Sequence, residues 1–227
     1  MRQLKTNLLE LHELENIQLD TISEDGNRYY TDSTKTIKYP SVTTVTGLHS
    51  RKHIKLWKER VGETEANKIT KQATRRGTKF HKHIEDYLRR EKEYIEFENI
   101  LQEGMFKAVK PILDEIIPIS LEAPLFSNEL QMAGRVDCVG LMENKLAIID
   151  FKSSGKPKEE YMAKQWYIQM TAYAIMVEEL TGKPIEDIIA IVGVEGMNTF
   201  QIFTSKPKYH VDDLWKLREQ YRNLYGL

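Results

Sequence analysis

Asp137, Asp150 and Lys152 lie within one stretch, AGRVDCVGLMENKLAIIDFK, over residues 133–152. The stretch reads as two strands joined by a tight turn. Val136, Cys138, Val139 and Leu141 supply the first strand, and Leu146, Ala147, Ile148, Ile149 and Phe151 the second. With Glu143 and Asn144 as the turn, Met142 faces Lys145. That register, carried down the ladder, sets Asp137 opposite Asp150 and Arg135 opposite Lys152. Alternation puts Asp150 and Lys152 on one face and turns Phe151 to the other. Directly opposed β-carbons stand about 5 Å apart, a spacing at which like charges repel. Two carboxylates so placed require a cation. A divalent metal would serve and would leave positions for water and a phosphate. A quartet in which Arg135 and Lys152 neutralise the two acids would serve equally, without any chemistry. The hairpin alone leaves both readings open.

The flanking chain must supply the elements that position this hairpin. Residues 17–31 pattern as an N-terminal hairpin turning at Glu24-Asp25-Gly26-Asn27, and a polar loop leads on to Pro40. The hydroxyl-rich run Ser41-Val42-Thr43-Thr44-Val45 precedes a helix, where Ser and Thr either cap the helix or hold a phosphate. Helical pattern runs from about 52 to 75, divided at Gly62, with Trp57 available for packing or for stacking on a base. Gly77 opens the next helix, whose core stripe is Phe80, Ile84, Tyr87 and Leu88. His81 borders that stripe with Glu85 one turn on, and His83 points to the surface.

Helical pattern resumes over 95–116 and stops at Pro118. A short strand over 121–126 carries Glu122, and Pro124 within it implies an edge or a bulge. After the central hairpin, a long helix over 158–180 has Trp166, Met170, Tyr173 and Val177 on one side, with Gln169 four residues before Tyr173. The continuous apolar run 188–194 has the character of a parallel strand buried on both faces. A strand over 200–203 and an amphipathic helix over 211–224 complete the chain. No repeat or low-complexity linker interrupts residues 1–227, so a single domain is expected. Its parts are a hairpin and loop (1–50), a basic helical region (51–118), an α/β core (119–205) and a C-terminal helix (206–227).

Composition narrows the setting. Hydrophobic residues make up 41% and charged residues 30%, which excludes disordered and fibrous classes. One cysteine rules out an intramolecular disulfide and a cysteine zinc cluster, and fits a reducing compartment. No apolar run approaches the ~20 residues of a membrane span. The opening MRQLKTNLLELHELENI lacks a secretory apolar core and carries Glu10, Glu13 and Glu15, so no signal or transit peptide and a cytoplasmic address are expected. Net charge is only −1, but between Arg51 and Lys82 eleven basic residues face three acidic ones. Such a run is either a solvated helix face or a polyanion track.

The core order is helix, three strands, helix, strand, and His81, Glu122, Asp137, Asp150-x-Lys152 and Gln169-x-x-x-Tyr173 fall in turn on the first five of these elements. This arrangement resembles the PD-(D/E)xK nuclease superfamily, and within it the RecB-like exonuclease branch. The segments GTKFH, GRVDCVG, IIDFKSSGKPK and QMTAY look most like mitochondrial genome-maintenance exonucleases and related phage exonucleases, over roughly residues 41–205. The resemblance implies a restriction-endonuclease-like α/β core (αβββαβ), with a mixed sheet flanked by helices.

It also implies that Asp137 and Asp150 ligate a catalytic metal, together with His81 and the main-chain carbonyl of Phe151. Lys152 is then the motif lysine, Glu122 the acid on the first core strand, and Gln169 and Tyr173 the residues that contact substrate or orient the site. The first motif position is read as Asp137 in GRVD, a departure from a literal Pro-Asp. The implied cofactor is Mg2+, with Mn2+ as a substitute because of the imidazole; no cysteines are placed for an iron–sulfur cluster. Relative to the mitochondrial members, no presequence is expected, which puts a mitochondrial address in doubt.

The implied activity is metal-dependent hydrolysis of DNA from single-stranded ends, in phage DNA metabolism or in replication, recombination or repair, with proteins of those processes as partners. Arg75, Arg76, Lys79 and Lys156, with Thr43 and Thr44, would line the strand's path, and the helices before the core would form an arch over it. Two other functions are open: a structure-specific endonuclease on the same fold, and a catalytically silent DNA-binding scaffold subunit.

Overall fold

The computed structural model describes residues 9–92 and 94–226. The first eight residues, on which part of the leader reading rests, lie outside the described residues. Near the N-terminus, strands β1 (Asp20–Glu24), β2 (Asn27–Thr31) and β3 (Lys38–Pro40) form an antiparallel sheet. The sequence showed the hairpin but read β3 as loop; three residues give too short a run for periodicity to register. Helix α1 (Val42–Thr46) follows, with Ser41 as its cap accepting from the Thr44 amide. Helices α2 (Leu48–Val61) and α3 (Glu63–Arg89) are divided at Gly62, whose φ of 84° suits glycine. Helix α4 (Ile100–Leu113) is capped by Asn99.

The main sheet is mixed and five-stranded, in the order β4 (Ile117–Ser127), β5 (Met132–Met142), β6 (Lys145–Ser154), β7 (Asp187–Val194) and β8 (Phe200–Ser205). Strands β4 to β6 form an antiparallel meander. The β5–β6 turn uses Glu143 and Asn144, both in the left-handed region as a two-residue hairpin turn demands. Helix α5 (Lys164–Thr181) crosses over to bring β7 parallel to β6, and β8 returns antiparallel before α6 (Val211–Tyr225). This is the restriction-endonuclease-like αβββαβ arrangement.

Alternation on the strands sorts the core into two layers. Phe80, Ile84 and Leu88 of α3, with Met105, Phe106 and Val109 of α4, cover the sheet face that carries Ile149, Phe151 and Ile191. The opposite face, with Val139, Ile148 and Ala190, packs against Met170, Tyr173 and Val177 of α5 and against the N-terminal sheet. From Leu146 to Phe151, β6 is thus apolar on both sides except at Asp150.

Three expectations need correction. Gly77 does not open a helix but lies inside the 27-residue α3. A mid-helix glycine costs only about 1 kcal/mol relative to alanine, and the packed half beyond Phe80 outweighs that. His83 is buried instead of exposed: three residues after Phe80, it shares that face and meets the Phe97 ring edge-on at 4.8 Å. Pro118 does not end the helix. α4 stops at Leu113, and Pro118 pairs with Gly140 on the edge strand β4, where a missing N–H is tolerated.

Glycine sets the helix–sheet distance at Gly193, where an added Cβ would come within 2.6 Å of Phe80 and 2.7 Å of Met105. Gly193→Ala is expected to cost about 1–3 kcal/mol and lower Tm by several degrees, whereas Gly104→Ala, in an open helical position, should be neutral or slightly stabilising. A thermal melt of each variant checks the contrast. A second expectation concerns His210, stacked on Tyr167 at 5.0 Å and 2.7 Å from Ser205 Oγ. Burial lowers its pKa below the ordinary value, so the native state favours the neutral ring. Its contribution is complete above pH 6.5, the ordinary histidine value, and is lost as pH falls below it through the folded-state pKa. Stability curves of the wild type and His210→Gln should therefore converge on acidification.

Candidate metal centre

The β5–β6 ladder runs from the Met142–Lys145 pair to Cys138–Ile149 and stops one step short of the aspartates. Asp137 is not held across the ladder from Asp150 as the register alone implied. Its Oδ2 instead accepts a hydrogen bond of 2.8 Å from the Phe151 amide, so a side chain takes over where backbone pairing ends. The cause is local. Residues two apart on a strand should share a face. Yet Leu121 and Cys138 pack under α3 and α4, while Ala123 and Val136 pack on the α5 side. Alternation therefore breaks at Glu122 on β4 and at Asp137 on β5. Glu122 sits at a φ of 51°, a left-handed conformation that costs a residue of this type about 1–3 kcal/mol. Its carbonyl accepts from Arg135 Nη1 at 2.7 Å.

This break turns the acids toward α3. His81 Nδ1 lies 3.5 Å from Asp137 Oδ2. His81, Glu122 and Asp137, all half-buried, each present a donor atom within 4.8 Å of the others. Asp150 falls outside that set of three. It is buried, with Oδ2 2.7 Å from Lys152 Nζ but in no well-directed hydrogen bond, and its Oδ1 accepts from Gln169 Nε2 at 3.3 Å. Tyr173, one turn after Gln169 on α5, lies against β5 at Gly134, where an added Cβ would stand 2.7 Å from its ring.

Burial, followed by the charge of Asp137, pushes the Glu122 carboxyl up to about 7. Burial pushes Asp150 up to about 6, with Lys152 pulling the other way and Asp137 adding to the rise. Burial opposes the charge on Lys152, but Asp150 and Asp137 outweigh it and hold the ammonium above its ordinary value. The Tyr173 hydroxyl is driven well upward by burial and the two aspartates, and stays protonated. The neutralised quartet is half-formed: Lys152 pairs with Asp150, whereas Arg135 turns to the Glu122 carbonyl and makes no ion pair with Asp137 among the described residues. Carboxylates exceed cations here. A buried carboxylate oxygen without a well-directed partner, beside an oxygen-rich donor set with one imidazole, suits a divalent ion of the magnesium or manganese type.

The other expected contacts are scattered around this centre. Arg75 and Lys79 both pair with Glu98, at 2.9 and 2.7 Å, which holds the Glu98 carboxyl down to about 2. Arg76, mostly buried, pairs with Glu195 at 3.2 Å beside Gly155. Lys156 is exposed at the end of β6, as is Thr43 on α1. The Thr44 hydroxyl is engaged with Ser41 and the Arg28 backbone, a structural role. Two charged side chains that the sequence did not single out, Glu15 and Arg89, form a network with Glu85 and the Leu121 backbone next to Glu122. The four-residue spacing of Glu85 and Arg89 on one helix was a signal for half of that network; nothing local pointed to Glu15.

Mitochondrial genome maintenance exonuclease 1 of Xenopus tropicalis is 34% identical over 111 residues, 47% of this chain and 32% of that protein. Its Homo sapiens counterpart is 32% identical over 129 residues, 52% of this chain and 38% of that protein. The matched stretch thus spans about a third of the length of these curated relatives. A model of the PD-(D/E)XK nuclease superfamily, whose members use divalent metals, matches residues 51–224. With a match over most of its length, the chain belongs to the PD-(D/E)XK nuclease superfamily.

Proposed function

We propose that this chain is a metal-dependent DNA exonuclease that hydrolyses phosphodiester bonds from single-stranded ends. The observation that carries the reading is the convergence of His81, Glu122 and Asp137 beside the Asp150–Lys152 pair. His81, Asp137 and Asp150 would hold Mg2+, or Mn2+ in its place. The Phe151 carbonyl joins them, because its amide already points into the gap between β5 and β6, and both polar groups of a strand residue face the same side. Glu122 adds a further carboxylate. The bound ion would supply Lewis-acid stabilisation of the phosphate and a more acidic water. Lys152 brings a positive charge to the face of Asp150, where charge develops on the phosphate. Gln169 orients Asp150, and Tyr173 presents a protonated hydroxyl behind the two acids.

The basic run on α2 and α3 supports the DNA assignment, with Arg75, Arg76 and Lys79 on α3 and Lys156 just beyond β6 as the proposed strand contacts. Residues 51–76 are largely solvent-exposed, which suits an arch over a threaded strand. The relatives' name, exonuclease, favours action from an end. A role in DNA replication, recombination or repair, or in phage DNA metabolism, in a cytoplasmic setting, completes the proposal. No helix among the described residues is long and apolar enough to cross a membrane.

Two experiments test the reading. Millimolar Mg2+ should raise the Tm of the wild-type protein by several degrees, and should leave Asp137→Asn and Asp150→Asn unmoved. Asp150→Asn should keep its fold and lose Mg2+-dependent cleavage by about 100-fold or more. Loss of stability without any metal response in the wild type would return the acids to a structural role. End-labelled linear single strands should shorten in the presence of Mg2+ while circular ones persist. Cleavage of circles at the same rate would make the enzyme an endonuclease, and no cleavage of either would favour a scaffold.

A further inference from the structure

Strand β4 is the outer edge of the main sheet, so the backbone groups it turns away from β5 require other partners. At Leu121 they find two charged side chains. The Leu121 amide donates to Glu15 Oε1 at 2.6 Å, and the Leu121 carbonyl accepts from Arg89 Nη2 at 2.8 Å. Arg89 also donates from Nη1 to Glu15 Oε2 at 2.9 Å and from Nε to Glu85 at 3.0 Å. One guanidinium therefore ties three elements together: the short 3₁₀ turn Leu11–Asn16 that carries Glu15, helix α3, and β4.

The next residue is Glu122, with its left-handed backbone. The peptide before it is held by Arg89 at the Leu121 carbonyl, and the peptide after it by Arg135 at its own carbonyl. With both flanking peptides fixed, the direction of the Glu122 side chain is fixed too. Arg89 stands two helical turns from His81 on α3, so the same contact sets the separation between His81 and Glu122. These are two of the three donors that converge. Glu15 lies outside residues 51–224, the part matched by the superfamily model.

We infer that Glu15 and Arg89 form a positioning clamp for Glu122, through which the N-terminal turn sets the affinity of the centre for its divalent ion. The inference rests on the metal-site reading above. Neither residue touches the donor atoms; they act by holding a strained peptide in place. Outer partners that orient ligands typically change metal affinity 10–100-fold when removed.

Mn2+ titrated calorimetrically into the full chain tests this without relying on cleavage. Arg89→Ala should weaken Mn2+ binding about 10–100-fold, and Glu15→Ala, which spares the Arg89–Glu85 pair, should weaken it in the same direction by less. In cleavage assays the metal concentration for half-maximal rate should rise, with a smaller change in rate at saturating metal. Arg89→Ala added to Glu122→Ala should have little further effect, because the clamp acts only through Glu122. If Arg89→Ala does not fold, Glu15→Ala with its own Glu122→Ala double variant carries the same test. Unchanged Mn2+ affinity in a folded variant, or effects that simply add to those of Glu122→Ala, would overturn the clamp alone. No Mn2+ binding by the wild type would overturn the metal site and the clamp together.

Discussion

Negative charge held in place without enough positive charge nearby is the constraint on which this structure turns. Asp137, Glu122 and Asp150 are brought together at the junction of three strands, and burial of Glu122 and Asp150 raises the free energy of their charged forms. Lys152 answers for Asp150, but Arg135 is committed to a backbone carbonyl. A fold selected for stability alone would place apolar side chains at such positions, since buried ion pairs seldom repay their desolvation. Here the cost is offset by the apolar layers on both faces of the sheet, where Ile148, Ile149, Phe151, Ile189 and Ile191 pack against α3, α4 and α5.

The strain follows from the same requirement. In a regular antiparallel ladder, Glu122 would stand across from Asp137 with its side chain fixed by alternation, and the meander would be a smooth sheet. The pairing skips that step on both sides of β5, and Glu122 adopts a left-handed backbone. Two strands thereby turn over at one point, and each delivers an acid toward His81. Hydrogen bonds between charged groups and the backbone hold the departure in place: the Phe151 amide donates to Asp137 and the Leu121 amide to Glu15, while Arg135 donates to the Glu122 carbonyl and Arg89 to the Leu121 carbonyl. Charge-assisted bonds are roughly twice as strong as neutral ones, which suits them to holding an unfavourable backbone.

Much of this was legible from residue order, and the part that was not has a physical explanation. The β5–β6 hairpin, its Glu143-Asn144 turn, the parallel β7 and the pairing of Gln169 with Tyr173 all follow from local periodicity. So does the sharing of one face by Asp150 and Lys152. Periodicity assumes regular elements, and it failed where they are irregular. The expected juxtaposition of Asp137 and Asp150 presumed a ladder running to its end, whereas the ladder yields to a side chain at Asp137. A stripe drawn only through Phe80, Ile84, Tyr87 and Leu88 leaves His83 outside it, although His83 stands three residues after Phe80 on the same face and meets the Phe97 ring. Glu15 was out of reach for a different reason: 106 residues separate it from Leu121. Contacts that close long loops leave no trace in a local window.

The basic helices look different once their partners are known. Under the proposed reading they guide a polyanion, yet three of their cations are already paired: Arg75 and Lys79 with Glu98, and Arg76 with Glu195. The Glu98 pairs lie at the surface, where water and salt screen an ion pair and leave it little net stabilisation. Exchanging one carboxylate for a phosphate there is nearly free, and release of counterions from the nucleic acid favours the exchange. Arg76 differs. Its side chain is only 14% exposed, and its Nε is buried without a hydrogen-bond partner. Moving it costs more and leaves Glu195 without its partner. The surface pairs can thus hold long side chains in order until a strand arrives, while Arg76 mainly ties α3 to the end of β7. Equal formal charges along one helix therefore divide into exchangeable contacts and a structural one, and burial makes the division.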